Sequence, residues 1–259
     1  MLTRKRRRGP AAVGAATATA AVVAAGVYRV LRARPRPSWQ RTNYAGRTVD
    51  LYAGPAVALG TAAGIAALPL PPRTRYAAVL AVTAAAGCGA YDDLAAADDP
   101  RRGFRAHLTA LRHGEVTSGT VKLLGIGAAG LAAGALLANR PVDRLLGGVV
   151  VAGTAHLVNL ADVRPGAAVA TVLALGAPCV SGRPLAAAPM AAALALAPAD
   201  LGERTMLGDA GAHALGAALG VAVVAGAGRA GLVAPAAGIV AATVYGDRVT
   251  RLAEALFTR

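Results

Sequence analysis

An all-α, polytopic transmembrane helix bundle of about nine spans, with eight to ten as the range, is the fold class this chain predicts. Three observations carry that expectation. Of its 259 residues 56% are hydrophobic, and the mean hydropathy is +0.51. The apolar residues recur in blocks of about 16 to 22, the length that crosses a hydrocarbon core. Stretches such as 11–28 and 148–161 contain no charge, whereas a soluble alanine-rich helix would interrupt them with charge every turn.

Aromatic residues make up only 3% of the chain, so interfacial Trp and Tyr belts are nearly missing and span ends are read from charges and prolines. The first span is 11–31, preceded by RKRRR at 4–8; it stays a span because RVLRARPRPS beyond it offers no small-residue signal-peptide cleavage site. The next two are 54–70 and 76–91, then 118–138, 145–161 and 166–181, and finally 184–198, 210–227 and 231–247. Alanine and glycine fill all of them, which lets helix backbones approach closely. Residues 1–259 read as a single integral membrane domain.

The formal charge is +14. Its basic residues are mostly arginines at the ends of apolar blocks, without interleaved aromatics, so the charge reads as membrane-flanking and not as a nucleic-acid footprint. Cys88 and Cys179 lie inside apolar segments and define no disulfide framework.

Four hydrophilic stretches interrupt the blocks: 32–50, 87–115, 159–166 and 199–211. They follow spans one, three, five and seven, so strict alternation puts all four on one face. Together with the C-terminal tail they hold about fifteen Lys and Arg, against about eleven on the other side, which favours the cytoplasm. The basic cluster at 4–8 argues the other way. The loop 92–117, with its Asp-Asp pair, is thus expected to be cytoplasmic in a multi-pass protein of the cell membrane.

The chain holds only thirteen acidic residues, yet Asp92, Asp93, Asp162 and Asp209 all fall at membrane-proximal positions on that face. One such carboxylate alone is a solvated helix end; four together point to a site. Hard oxygen ligands suit magnesium, which takes one or two carboxylates plus substrate phosphate oxygens. Adjacent residues on a helix point about 100° apart, so Asp92 and Asp93 divide the work, one on the metal and the other on a cation or the acceptor phosphate. Asp98 and Asp99 precede Pro100 and read as a turn.

GAYDDL at 89–94, TSGTVKLLGIG at 117–127, NLADVRPG at 159–166 and MLGDAGAHALGAALG at 206–220 resemble, in order and spacing, the signatures of the polyprenyl-phosphate N-acetylhexosamine-1-phosphate transferases. That family, of glycosyltransferase family 4 type, includes the phospho-N-acetylmuramoyl-pentapeptide transferase and the enzymes similar to UDP-N-acetylglucosamine-1-phosphate transferase. The resemblance implies transfer of a sugar-1-phosphate from a nucleoside diphosphate sugar to a polyprenyl phosphate lipid, at the cytoplasmic membrane face, in cell-envelope glycan synthesis. It implies magnesium, with manganese as a substitute, and permits a homodimer. By motif, Asp92, Asp93 and Asp209 correspond to catalytic and metal-binding aspartates. Asn159 and Asp162 match the start of the nucleotide-facing motif, and Lys122 and Arg47 are the expected cationic substrate contacts.

The chain departs from the family at several positions. Where the nucleotide motif reads Asn-Leu-x-Asp-Gly-x-Asp-Gly, Val163 replaces the first glycine and Pro165 the second aspartate, the residue associated with holding uracil. The histidine-rich loop of the peptidoglycan enzyme is missing, and the four histidines are scattered at 107, 113, 156 and 213. His213 reads as a helix-interior histidine. A second reading is a non-catalytic, family-derived scaffold or lipid-phosphate-binding protein. A transporter fits less well, because no inverted repeat is evident and the acids lie at the face, not the midplane.

Overall fold

Each of the nine apolar stretches folds as a helix, because within a membrane only internally satisfied backbone is tolerated and an uncharged run of Ala, Val, Leu and Gly satisfies it by coiling. In a computed structural model that describes residues 2–95, 103–180 and 182–257, the first is α1 (Leu2–Arg32). An antiparallel hairpin follows, β1 (Gln40–Thr42) with β2 (Thr48–Asp50). Next come α2 (Ala53–Ala67), α3 (Pro72–Ala95), the short α4 (Gly103–Arg112), α5 (Ser118–Leu137) and α6 (Pro141–Ala161). The chain continues through α7 (Ala167–Val180), α8 (Ala187–Leu201), α9 (Gly208–Ala225), α10 (Arg229–Val244) and α11 (Gly246–Leu256). The expected turn at Asp98, Asp99 and Pro100 lies outside the described residues.

The all-α class holds, and helix length and composition bear out five or six of the nine expected spans among the described residues. Among the described residues five helical segments are long and apolar enough to cross a membrane: Gly9–Arg32, Ser118–Leu137, Pro141–Ala161, Pro184–Leu201 and Gly208–Ala225. A sixth is reached if α10 and α11, bent by 86°, form one broken span. Helices α2 and α7 are apolar but have only 15 and 14 residues. Helix α3 carries Arg73 and Arg75 at one end and Asp92 and Asp93 at the other, and is not among the five. Apolar composition therefore identifies helices more readily than complete crossings.

Helix α9 is the axis of the bundle and packs against α2, α3 and α6. Every residue from Ala210 to Ala222 is buried, the pattern of a helix surrounded on all sides. Outward faces of other helices are apolar and exposed, as at Val22, Leu124 and Val233, which suits contact with lipid.

The α3–α9 approach depends on Gly89, where an added Cβ would overlap the backbone carbonyl and carbon of Asp209. Backbone cannot rotate aside as a side chain can. Gly89→Ala is expected to lower stability by about 1–3 kcal/mol despite alanine's better helix propensity, measured by unfolding in detergent. A stabilised variant would show that the two helices do not meet here.

Candidate functional site at one end of the bundle

The four hydrophilic stretches converge. Asp50 of the hairpin bridges to Thr205, and its carbonyl accepts from the Met206 N–H at 2.8 Å. The Asn43 amide donates to Glu203 at 2.8 Å, and the Arg164 guanidinium stacks 4.2 Å over the Tyr44 ring. The Asp200 carboxylate accepts from the Gly166 N–H at 2.7 Å, tying the turn after α6 to the last turn of α8. These contacts place residues 40–50, 92–93, 159–166 and 199–211 at one end, with the Asp-Asp pair joined through the bonds described next.

Asp93, at the end of α3, has both oxygens engaged. Its Oδ1 accepts from the Asp209 N–H and its Oδ2 from the Ala210 N–H, each at 3.0 Å. A helix N-terminus leaves such N–H groups without intrahelical partners and carries partial positive charge, so a carboxylate is a strong cap. Leu207, the residue at the N-cap position of α9, supplies no side-chain bond, and Asp93 caps the helix from another segment. Gly208 makes the geometry possible: its φ of +59° is costly for an L side chain, and an added Cβ would stand 3.0 Å from Asp93 Oδ2. Asp93 thus holds the first turn of α9 in place, and each of its oxygens keeps a second lone pair.

Lys122 links the other two acids. The start of α5 is capped by Thr117, whose hydroxyl accepts from the Thr120 N–H at 3.1 Å, and Lys122 follows on the first turns. Its ammonium lies 2.5 Å from Asp92 Oδ2 and also donates to Asp209 Oδ2. One of only two lysines in an arginine-rich chain, it is four-fifths buried at its side chain. A compact ammonium with three rotatable donors suits the space between two carboxylates.

Magnesium can be tested against these groups. Asp92 Oδ1 is buried without a hydrogen-bond partner, an orphaned anionic oxygen of the kind a cation satisfies. Asp209 uses one carboxylate oxygen on Lys122. Among the described residues no three His, Cys, Asp or Glu side chains converge as a closed metal site. A donor set of two carboxylates fits magnesium, or manganese, completed by water and phosphate oxygens.

The remaining expected residues separate. Asn159 lines a cavity of about 480 Å³ beside Lys122. Asp162 terminates α6, and burial first, then the charges of Asp200, Asp209 and Asp93, raise its carboxyl well above the usual range against a favourable Gly208 N–H. Arg47 is exposed and pairs with Glu203 at 3.4 Å, away from the Lys122 bridge. Arg41 is the arginine of that hairpin that reaches the motif, donating to the Asp93 carbonyl. Sequence position alone ranks neither arginine above the other.

The cavity also holds residues without a motif. Along α6, Val149, Ala152, Gly153, His156, Asn159 and Leu160 share one face at helical spacing, apolar at one end and polar at the other. His107, Lys122 and His213 join the polar end; Ile126, Ile239 and Val240 continue the apolar wall. The histidines scattered in sequence therefore meet in space, apart from His113, which is exposed. His213 lies within α9 as expected, its Nδ1–H donating to the Asp209 carbonyl at 2.7 Å.

The chain matches no protein-family model and no curated protein sequence. Fold and composition define a membrane-compatible helix bundle with a charged cluster at the end of an amphiphilic cavity.

Proposed function

We propose that the protein transfers a sugar-1-phosphate from a nucleoside diphosphate sugar to a polyprenyl phosphate at the cytoplasmic face of the cell membrane. The observation that carries this reading is Lys122 held between Asp92 and Asp209 at the polar end of a cavity whose other end is apolar. An amphiphile with a phosphate head and hydrocarbon tail matches both ends. Phosphoryl transfer asks a protein chiefly for positioning and charge neutralisation, and these groups can provide both.

In this scheme Asp92 and Asp209 would hold the magnesium ion, which supplies charge neutralisation on phosphate oxygens. Lys122 donates to the transferred phosphoryl group. Asp93 holds the first turn of α9 and thereby sets the position of Asp209. Asn159 offers an amide at the head of the cavity, and Ile126, Val149 and Ile239 exclude water from the lipid.

Membranes containing the protein, incubated with polyprenyl phosphate, magnesium and a panel of nucleotide sugars, should release nucleoside monophosphate. Lipid binding without release would favour the non-catalytic lipid-phosphate-binding reading. Base preference should be loose, because Pro165 has neither a side-chain acceptor nor a backbone donor. One lost base contact costs about 1–3 kcal/mol, so uridine, cytidine, guanosine and adenosine diphosphate sugars should compete within about two orders of magnitude. Exclusive use of uridine would show that another group reads the base.

A further inference from the structure

The cavity's polar end carries more titratable nitrogen than a phosphate-binding site needs. Lys122 is a donor already shared by two carboxylates, and both oxygens of Asp93 are occupied by backbone. His213 has its Nδ1–H committed to the Asp209 carbonyl, and His107 Nδ1 lies 2.9 Å from Thr117 Oγ1. His156 differs. Its ring lines the cavity one helical turn from Asn159, next to Lys122, and no hydrogen bond from the described residues holds it. An imidazole so placed is costly in an apolar span unless a ligand uses it.

Resting on the transferase reading, we propose that His156 is the general base that takes the proton of the acceptor lipid phosphate. A phosphate monoester has a second pKa near 6, so near neutrality part of it still carries one O–H. As the lipid phosphate oxygen forms its bond to the donor's sugar-bearing phosphorus, the bond from that phosphorus to the nucleoside monophosphate breaks. The electron pair leaves with the monophosphate, and the proton passes to His156. A neutral imidazole keeps one ring nitrogen with a lone pair that can take a proton.

Titratable groups reach His156 from several helices. Lys122 faces it from α5, His213 from α9 and His107 from α4, while α10 presents Ile239, Val240, Thr243 and Val244. Helix α7 carries only Cys179 as a titratable group. Helix α11 meets α6 through Thr250 and Leu160; its Asp247, Arg248 and Arg251 are exposed, and Glu254 is half-buried.

The test compares the full-length protein with His156→Gln, which keeps polar bulk but cannot take a proton. Nucleoside monophosphate release is measured from about pH 5 to above pH 8, with unfolding followed in the same detergent. The expected deficit is about tenfold near pH 5, where about nine-tenths of the lipid phosphate retains its proton, about twofold near pH 6, and absent above about pH 8, where it has lost it. KM for the lipid should change little, and His113→Gln should behave as the unsubstituted protein. If His156→Gln unfolds early, His156→Asn replaces it. A deficit equal at every pH, or none, overturns the base assignment while the transferase reading stands. No release by the unsubstituted protein overturns both.

Discussion

Asp209→Asn is expected to lower magnesium-dependent turnover by about 10²–10³-fold while leaving the bundle folded. The structure separates these two outcomes. Asp209 places its carboxylate on Lys122, so the asparagine loses a charge and a cation ligand but keeps an amide oxygen for the ammonium. Lys122 retains Asp92 at 2.5 Å, and no buried cation is left unpaired. The backbone N–H of residue 209, which Asp93 accepts, is unchanged by the substitution. Turnover against magnesium concentration, with unfolding in the same detergent, checks the expectation. Unaltered turnover would remove Asp209 from the site, and early unfolding would mean that the Lys122 bridge is structural.

Asp93→Ala should behave in the opposite way, destabilising the protein first and affecting chemistry as a consequence. Two N–H groups at the start of α9 lose their acceptor at once, and the helix dipole loses a favourable charge. The expected cost is roughly 2–4 kcal/mol, with Asp93→Asn intermediate because one amide oxygen still accepts. A metal ligand would give a different signature. If Asp93→Asn unfolds like the unsubstituted protein but needs far more magnesium, the carboxylate is a ligand and the cap is incidental.

These variants show how much of the site local sequence can convey. Asp92, Asp93 and Asp209 stand out because acids are rare here and lie at the ends of apolar blocks, where charge is costly. Their division of labour does not stand out. Whether Asp93 faces a metal or a helix end depends on α9, which arrives 116 residues later. His156 and His213 look alike as polar interruptions of apolar helices, yet one lies free along the cavity and the other is bonded to its own helix. Asp200 and Arg41 carry no motif at all; they matter because Gly166 and the Asp93 carbonyl lie within reach.

What the sequence by itself determined was the nine apolar helices and the hydrophilic stretches between them; the polar α4 and α11 were not among them. Apolar run length, charge and proline act locally, and a residue's cost in hydrocarbon does not depend on which helix is its neighbour. Which of the nine stretches are long and apolar enough to cross, five or six among the described residues, already needs helix lengths and bends that composition does not encode. Only the tertiary structure decided that Lys122 sits between Asp92 and Asp209, that Asp93 caps α9, and that three histidines share one cavity. Those arrangements are pairings between segments distant in the chain, helped by close backbone approach at residues such as Gly89. Hydrogen bonds and ion pairs act over a few ångströms of space, so no spacing along the chain specifies them until the helices have packed.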